Sequence, residues 1–147
     1  MLKGIDPAIS AELLHVLMSM GHGDDILLAD LNHPSASIAK STTHGRMVDM
    51  VGCDLPRAAE AILSLMPLDT FFPVSVWRMA VVDDPDRMMP VHTRMQEVLD
   101  RVEGRPVAVD LLERFAFYAA AKRTFAVVRT SDPGPYGCYI LRKGVVT

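Results

Sequence analysis

Only two cysteines occur among the 147 residues, Cys53 and Cys138, far apart and outside any C-x-x-C. That count argues against a disulfide framework and against a cysteine-based structural zinc site. Two isolated thiols and ten methionines suit a reducing compartment, so a cytoplasmic protein is expected. No apolar run reaches the ~18 residues that a membrane helix needs. The opening Met1-Leu2-Lys3-Gly4-Ile5-Asp6-Pro7 has no basic stretch followed by a long apolar one, so it does not read as a secretory signal. Neither sign of charge dominates: 15 basic residues stand against 18 acidic ones, for a net charge of −3. No broad footprint for nucleic acid or an anionic membrane follows from that balance.

Several chemistries lack their signatures. His15, His22, His33, His44 and His92 show no H-E-x-x-H or comparable spacing, so no metal site is expected. Gly21 and Gly23 do not extend to G-x-G-x-x-G, and neither a P-loop nor a G-x-S-x-G elbow is present. The absence of these motifs leaves no cofactor to expect. There is no internal repeat, low-complexity tract or Gly/Ser linker, so residues 1–147 are expected to form a single domain.

What the chain has in quantity is apolar surface. Half its residues are hydrophobic and its mean hydropathy is +0.20. A domain of this size has surplus apolar surface to place, and a subunit interface is the usual destination. A homo-oligomer is therefore expected.

Helix-like and strand-like stretches alternate, which points to an α/β layer architecture. Ser10 to Met20 reads as a helix, capped by Ser10, with Leu13, Leu14, Leu17 and Met18 at helical spacing and Gly21 beyond its end. Asp25 to Ala29 reads as a short apolar strand and Asp30 to Ser41 as a polar loop. Arg46 to Val51 reads as a strand. Asp54 caps a helix that stops before Pro67. The spacing then predicts a strand over Val74 to Val82, a helix over Val91 to Glu103 and a strand over Pro106 to Val109. A helix over Glu113 to Arg123 and strands over Phe125 to Arg129 and Cys138 to Leu141 complete the chain.

Four places carry candidate chemistry. His22 lies between Gly21 and Gly23, with no bulky neighbour to shield its ring, and an imidazole titrates near neutrality. The same residues also describe a helix end with a solvent-exposed histidine. Asp30 stands at the exit of an apolar strand, where ligand sites of α/β sheets gather; it equally suits a loop-entry aspartate bonded to its own backbone. Arg114 opens Arg114-Phe115-Ala116-Phe117-Tyr118 at a helix start, where the dipole disfavours a cation. A polar ligand would account for it, and so would an ion pair with Glu113 or Asp110. Tyr136 follows a Pro133-Gly134-Pro135 turn and either presents its hydroxyl or packs.

Taken together, these segments resemble the RbsD/FucU family of sugar mutarotases, and within it the L-fucose branch. The segments that carry the likeness are Met1-Leu2-Lys3-Gly4-Ile5, Met20-Gly21-His22-Gly23-Asp24, Ala29-Asp30 leading to His33-Pro34, Arg114-Phe115-Ala116-Phe117-Tyr118, Tyr136-Gly137, Ile140-Leu141 and Lys143-Gly144-Val145. The resemblance implies a three-layer α/β/α sandwich of the RbsD-like type. It implies a cofactor-free isomerase that interconverts the α and β anomers of L-fucose or a related pyranose. It further implies a ring-shaped homo-oligomer, typically a decamer, with sites near subunit boundaries. His22 matches the family's proton donor, and Asp30 and Arg114 match residues that contact the sugar. The family's Tyr-Gly-Asn turn reads here Tyr136-Gly137-Cys138, and a thiol is a weak donor and acceptor beside an amide. Either a backbone group makes that contact or the hydroxyl pattern read here differs. On this assignment Tyr136 fixes the sugar or relays a proton, and Asp24 orients His22. A ribose pyranase-type isomerase and a non-catalytic sugar-binding subunit are the competing readings.

Overall fold

Helices begin where a side chain accepts the first free N–H groups. Ser10 Oγ accepts from Leu13 N–H at 3.1 Å, Asp54 accepts from Arg57 N–H at 3.0 Å, and the Glu113 carboxylate accepts from Phe115 and Ala116 N–H at 2.8 and 3.2 Å. Each cap precedes an apolar stretch with helical periodicity. The computed structural model describes residues 2–146. In chain order its elements are α1 (Ala11–Ser19), β1 (Asp25–Ala29), α2 (Ser35–Ala39), β2 (Met47–Met50), α3 (Leu55–Leu63), β3 (Val76–Met79), α4 (Pro90–Glu103), β4 (Val109–Leu112), α5 (Arg114–Ala121), β5 (Ala126–Thr130) and β6 (Cys138–Arg142).

The six strands form one sheet in the order β2-β5-β1-β6-β3-β4. Strand β6 runs antiparallel to both its neighbours, β1 and β3, while the β1–β5, β2–β5 and β3–β4 pairs are parallel. Five strands therefore point one way, and their carboxyl ends share an edge with the start of β6. Alternate residues face opposite sides. Ile26, Leu28, Val128 and Tyr139 pack under α1, α3 and α4. Leu27, Ala29, Val127 and Ile140 pack under α2 and α5. Helices thus cover both faces, as the α/β/α expectation requires.

Three elements depart most from the sequence reading. The predicted loop over 30–41 contains α2, whose Ile38 and Ala39 are buried. One turn is too short for periodicity to reveal. The strand predicted over Pro106 to Val109 begins only at Val109. Val107 is held by α4 instead: its N–H donates to Asp100 Oδ1 (2.8 Å) and its carbonyl accepts from Gln96 Nε2 (2.9 Å). The strand predicted over Val74 to Val82 keeps only Val76–Met79. Beyond it Val82 N–H turns to the Tyr136 hydroxyl, at 3.4 Å, and Asp83 takes φ 64.

Candidate active site

Register brings the first half of the site together. Ala29 pairs with Cys138 across β1 and β6, so Asp30 lies beside Gly137. Asp30 is 3% exposed, and donors surround its carboxylate. Oδ1 accepts from Asn32 N–H (2.8 Å) and His33 N–H (3.0 Å). Oδ2 accepts from Gly137 N–H (3.0 Å) and, more weakly, from Cys138 Sγ (3.6 Å). Gly137 makes this approach close: a Cβ there would lie 3.3 Å from both Asp30 Cβ and the Gly134 carbonyl oxygen, so either neighbour would have to give by a few tenths of an ångström. Burial holds the Cys138 thiol well above its ordinary pKa, and the Asp30 charge adds to the effect. Cys138 is accordingly a protonated donor.

Asp30, His33, Arg114, Tyr118, Tyr136 and Cys138 border one cavity of ≈ 270 Å³ at the carboxyl edge of the sheet. Arg114 stands at the first position of α5, its guanidinium 4.9 Å from the Phe115 ring centroid. Among the described residues no carboxylate lies within 4.0 Å of it, so the ion-pair explanation for its position drops out.

Tyr136 adopts φ 62, a conformation that non-glycine residues seldom take. His92 holds it there. Met89 N–H donates to His92 Nδ1 (3.1 Å), which leaves the proton on Nε2 to donate to the Tyr136 carbonyl (3.1 Å). Burial is the main cause that keeps the His92 pKa below that of a free imidazole, so this tautomer persists at neutral pH.

His22 lies elsewhere. It precedes β1 while Asp30 follows it, and five strand residues separate the two edges by about 16 Å. There His22 Nε2 meets Asp69 Oδ1 at 3.2 Å, and the ring stands edge-on to Phe71 with centroids 4.9 Å apart. The Asp69 side chain is only 1% exposed, whereas that of His22 is 39% exposed. The Phe71 N–H, donating to Asp69 Oδ1 at 3.0 Å, is the main influence that lowers the Asp69 pKa, and His22 adds to it. A carboxylate in this position fixes the imidazole's orientation and keeps the proton on Nε2, leaving Nδ1 free.

The expectation that Asp24 orients His22 is corrected. Asp24 Oδ2 accepts from Gly21 N–H at 2.7 Å and so closes the turn after α1. Asp69 takes the role because β6 and the residues after it run alongside the 67–69 segment. Gly144 N–H donates to the Pro67 carbonyl at 2.8 Å, and Leu68 bridges Lys143. No local signal could have found Asp69, which lies 47 residues from His22. The separation of His22 from Asp30 did have a signal, since residues flanking one short strand must sit at its opposite ends.

No group of three or more metal-ligating side chains is present among the described residues, nor any helix long and apolar enough to cross a membrane.

Comparison with known proteins gives a consistent picture. Residues 3–146 match the model of the RbsD / FucU transport protein family. The chain is 44% identical to the fucose mutarotase of Homo sapiens over 99% of its own length and 94% of that protein's. It is 38% identical to the L-fucose mutarotase of Actinobacillus pleuropneumoniae serotype 5b, covering 99% and 97% of the two chains. The structure superposes with a TM-score of 0.89 on the fucose mutarotase of Streptococcus pneumoniae in complex with L-fucose, which is 36% identical, over 99% of this chain and all of that one.

Proposed function

The chain belongs to the RbsD/FucU family, and from that premise we propose that it is a mutarotase interconverting the α and β anomers of L-fucose, using its own side chains alone. The observation that carries this reading is the pocket. A buried carboxylate, an arginine with no carboxylate partner among the described residues and a tyrosine border a cavity of ≈ 270 Å³ in a chain similar along 99% of its length to fucose mutarotases. That volume lies just below the usual ~300–1,000 Å³ of small-molecule sites, which suits one monosaccharide rather than a longer glycan.

The reaction needs two proton movements. A base removes the proton of the anomeric hydroxyl while an acid delivers one to the ring oxygen; the C1–O5 bond breaks and a C1 carbonyl forms. The open aldehyde rotates about C1–C2 and closes on its other face, with the protons returned. Since the exchange already runs unaided in water, positioned acid–base groups worth ~10²–10⁴-fold each are sufficient. That corresponds to roughly 3–5.5 kcal/mol of barrier.

His22 is the proton-exchanging group, oriented by Asp69 and acting through its free Nδ1. Arg114, Tyr136 and the Gly137 turn hold the sugar. A sugar hydroxyl displaces the weak Cys138 thiol contact at Asp30 Oδ2, the one acceptor position held by a poor donor. His22 and the pocket belong to different copies of the chain: the His22 edge of one subunit meets the Asp30 edge of the next. Exposed apolar side chains at both edges support this, Phe71 and Phe72 beside His22 and Leu31, Val82 and Phe115 around the pocket. Such head-to-tail contact closes into a ring when its rotation divides the full turn evenly, and the ring-shaped decamers that the family resemblance implies fit that case. Two free cysteines agree with a cytoplasmic location.

Mixed assemblies test the reading. In saturation-transfer NMR of L-fucose anomer exchange, H22A and R114A are each expected to be inactive as homo-oligomers. Dissociated and reassembled together one to one, they should recover about a quarter of wild-type activity, because one site in four combines His22 of one copy with Arg114 of the next. No recovery refutes the shared site, and a wild-type protein that leaves the exchange rate unchanged refutes the mutarotase assignment.

A further inference from the structure

Two phenols border the pocket, and their hydroxyls are placed differently. The Tyr136 hydroxyl accepts from Val82 N–H at 3.4 Å. Tyr118 comes from α5, one helical turn after Arg114, and residues four apart on a helix share a face. The aromatic stretch therefore divides by face. Phe117 is fully buried and Phe115 is 67% exposed, while Arg114 and Tyr118 both line the cavity. The Tyr118 ring is half-buried against the core under α2 and α5, with the His33 ring beside it at a centroid distance of 5.6 Å. Its hydroxyl has no hydrogen-bond partner among the described residues. The unpartnered polar atoms sealed from solvent there are His33 Nε2, Arg57 Nη1, Asp69 Oδ2 and Arg105 Nη2, and the Tyr118 oxygen is not one of them. It is thus both unpaired and open to a partner arriving from outside the chain.

The surroundings place that hydroxyl, and not the ring alone, on the cavity side. Partial burial is the main cause that pushes its pKa above the ordinary tyrosine value. Cys138 and Asp30 act in the same direction and Arg114 opposes them. All three of these groups line the cavity. The phenol is neutral at pH 7 and can donate one hydrogen bond and accept another, which is the pattern of a sugar hydroxyl. An anion would meet the Asp30 carboxylate, and a cation finds no ligand cluster among the described residues. A phenol with its acidity lowered is a poor proton-transfer group near neutral pH. Its match is accordingly a hydroxyl that takes no part in ring opening.

We propose that Tyr118 is a sugar-binding residue, whose hydroxyl hydrogen-bonds one of the non-reacting hydroxyls of the monosaccharide, at C2, C3 or C4, and so helps set which sugars this chain accepts. The assignment rests on the mutarotase reading above. It adds to Arg114 a second contact from the same face of α5, one turn further along the helix.

Anomer-exchange kinetics test it on the full-length oligomer, comparing wild type with Y118F, which keeps the ring and removes only the hydroxyl. With L-fucose, KM should rise about three- to tenfold, the worth of one neutral hydrogen bond, while kcat stays within about twofold of wild type. The same comparison is then made with 2-, 3- and 4-deoxy-L-fucose. For one of the three, wild type and Y118F should share the same KM, because the contact is already missing from the sugar. For the other two, Y118F should show the rise seen with L-fucose. Without sugar, Y118F should melt no lower than wild type, since its hydroxyl has no partner to lose. An unchanged KM for L-fucose overturns the proposal, as does a loss confined to kcat. A rise in KM that persists with all three deoxy sugars overturns it too, because that reports altered packing. A melting temperature more than about 2 °C below wild type shows that the hydroxyl is bonded within the protein and removes the premise. Wild-type protein without exchange activity would instead bring down the mutarotase reading itself.

Discussion

Replacing Asp30 with asparagine keeps the shape of the side chain and removes its charge and one of its two acceptor oxygens. The wild-type carboxylate takes three backbone N–H donors and one thiol, with Asn32 and His33 on Oδ1 and Gly137 and Cys138 on Oδ2. The asparagine amide has one acceptor oxygen, which is best kept toward Asn32 and His33, where two backbone bonds survive. Its NH₂ then faces the Gly137 N–H, donor against donor, in a site where Asp30 is 3% exposed. One buried N–H loses its partner, at ~1–3 kcal/mol, and the two surviving bonds lose their charge assistance. The total is about 2–4 kcal/mol. For a chain of this length each kcal/mol lowers Tm by roughly 2–4 °C, so a fall of about 4–16 °C is expected. Thermal unfolding at one fixed protein concentration measures it, since assembly otherwise shifts the midpoint. Displacement of the Tyr136-Gly137 turn should also slow L-fucose exchange by at least about tenfold. If D30N melts within about 1 °C of wild type, the carboxylate does not organise this edge of the sheet, and the account of the pocket fails with it.

Two further outcomes are expected. His33 is neutral in the folded protein and has a pKa of about 4, against about 6.5 when unfolded, so the unfolded chain binds the extra proton first as pH falls. The stability linked to this group is complete above pH 6.5 and is lost between 6.5 and 4. Wild type should therefore lose about 3 kcal/mol more than H33F across that window in urea titrations, and parallel curves would contradict the buried neutral ring. A Cβ at Gly144 would lie 2.5 Å from the Leu68 carbonyl oxygen and 2.9 Å from Asp69 Cα. G144A should thus push the 67–69 segment away, cost ~1–3 kcal/mol of stability and slow exchange by loosening the Asp69 hold on His22; unaltered exchange kinetics would show that this close approach does not position Asp69.

Short-range patterns carried much of the architecture. The Ser10 cap with its leucines, the apolar run before Asp30 and the glycine after Glu103 mark elements where local preference and the final fold agree, so α1, β1 and the end of α4 were legible. A single helical turn such as α2 has no periodicity to read. The start of β4 was misplaced because Gln96 and Asp100, side chains of α4, claim the backbone of Val107 in place of the sheet.

Sequence by itself was enough to determine the alternating layers, the apolar surplus, and which residue types stand at the strand ends: His22 before β1, Asp30 after it, Arg114 and Tyr136 at the other turns. Only the tertiary structure decided their company. Pairing of β1 with β6 seats Asp30 against Gly137 and Cys138, the residues after β6 hold the 67–69 segment that brings Asp69 to His22, and the closed packing around His33 leaves its Nε2 without a partner among the described residues. Hydrogen bonds between residues 47 to 108 positions apart depend on strand order and register, which are properties of the assembled sheet and of no local segment.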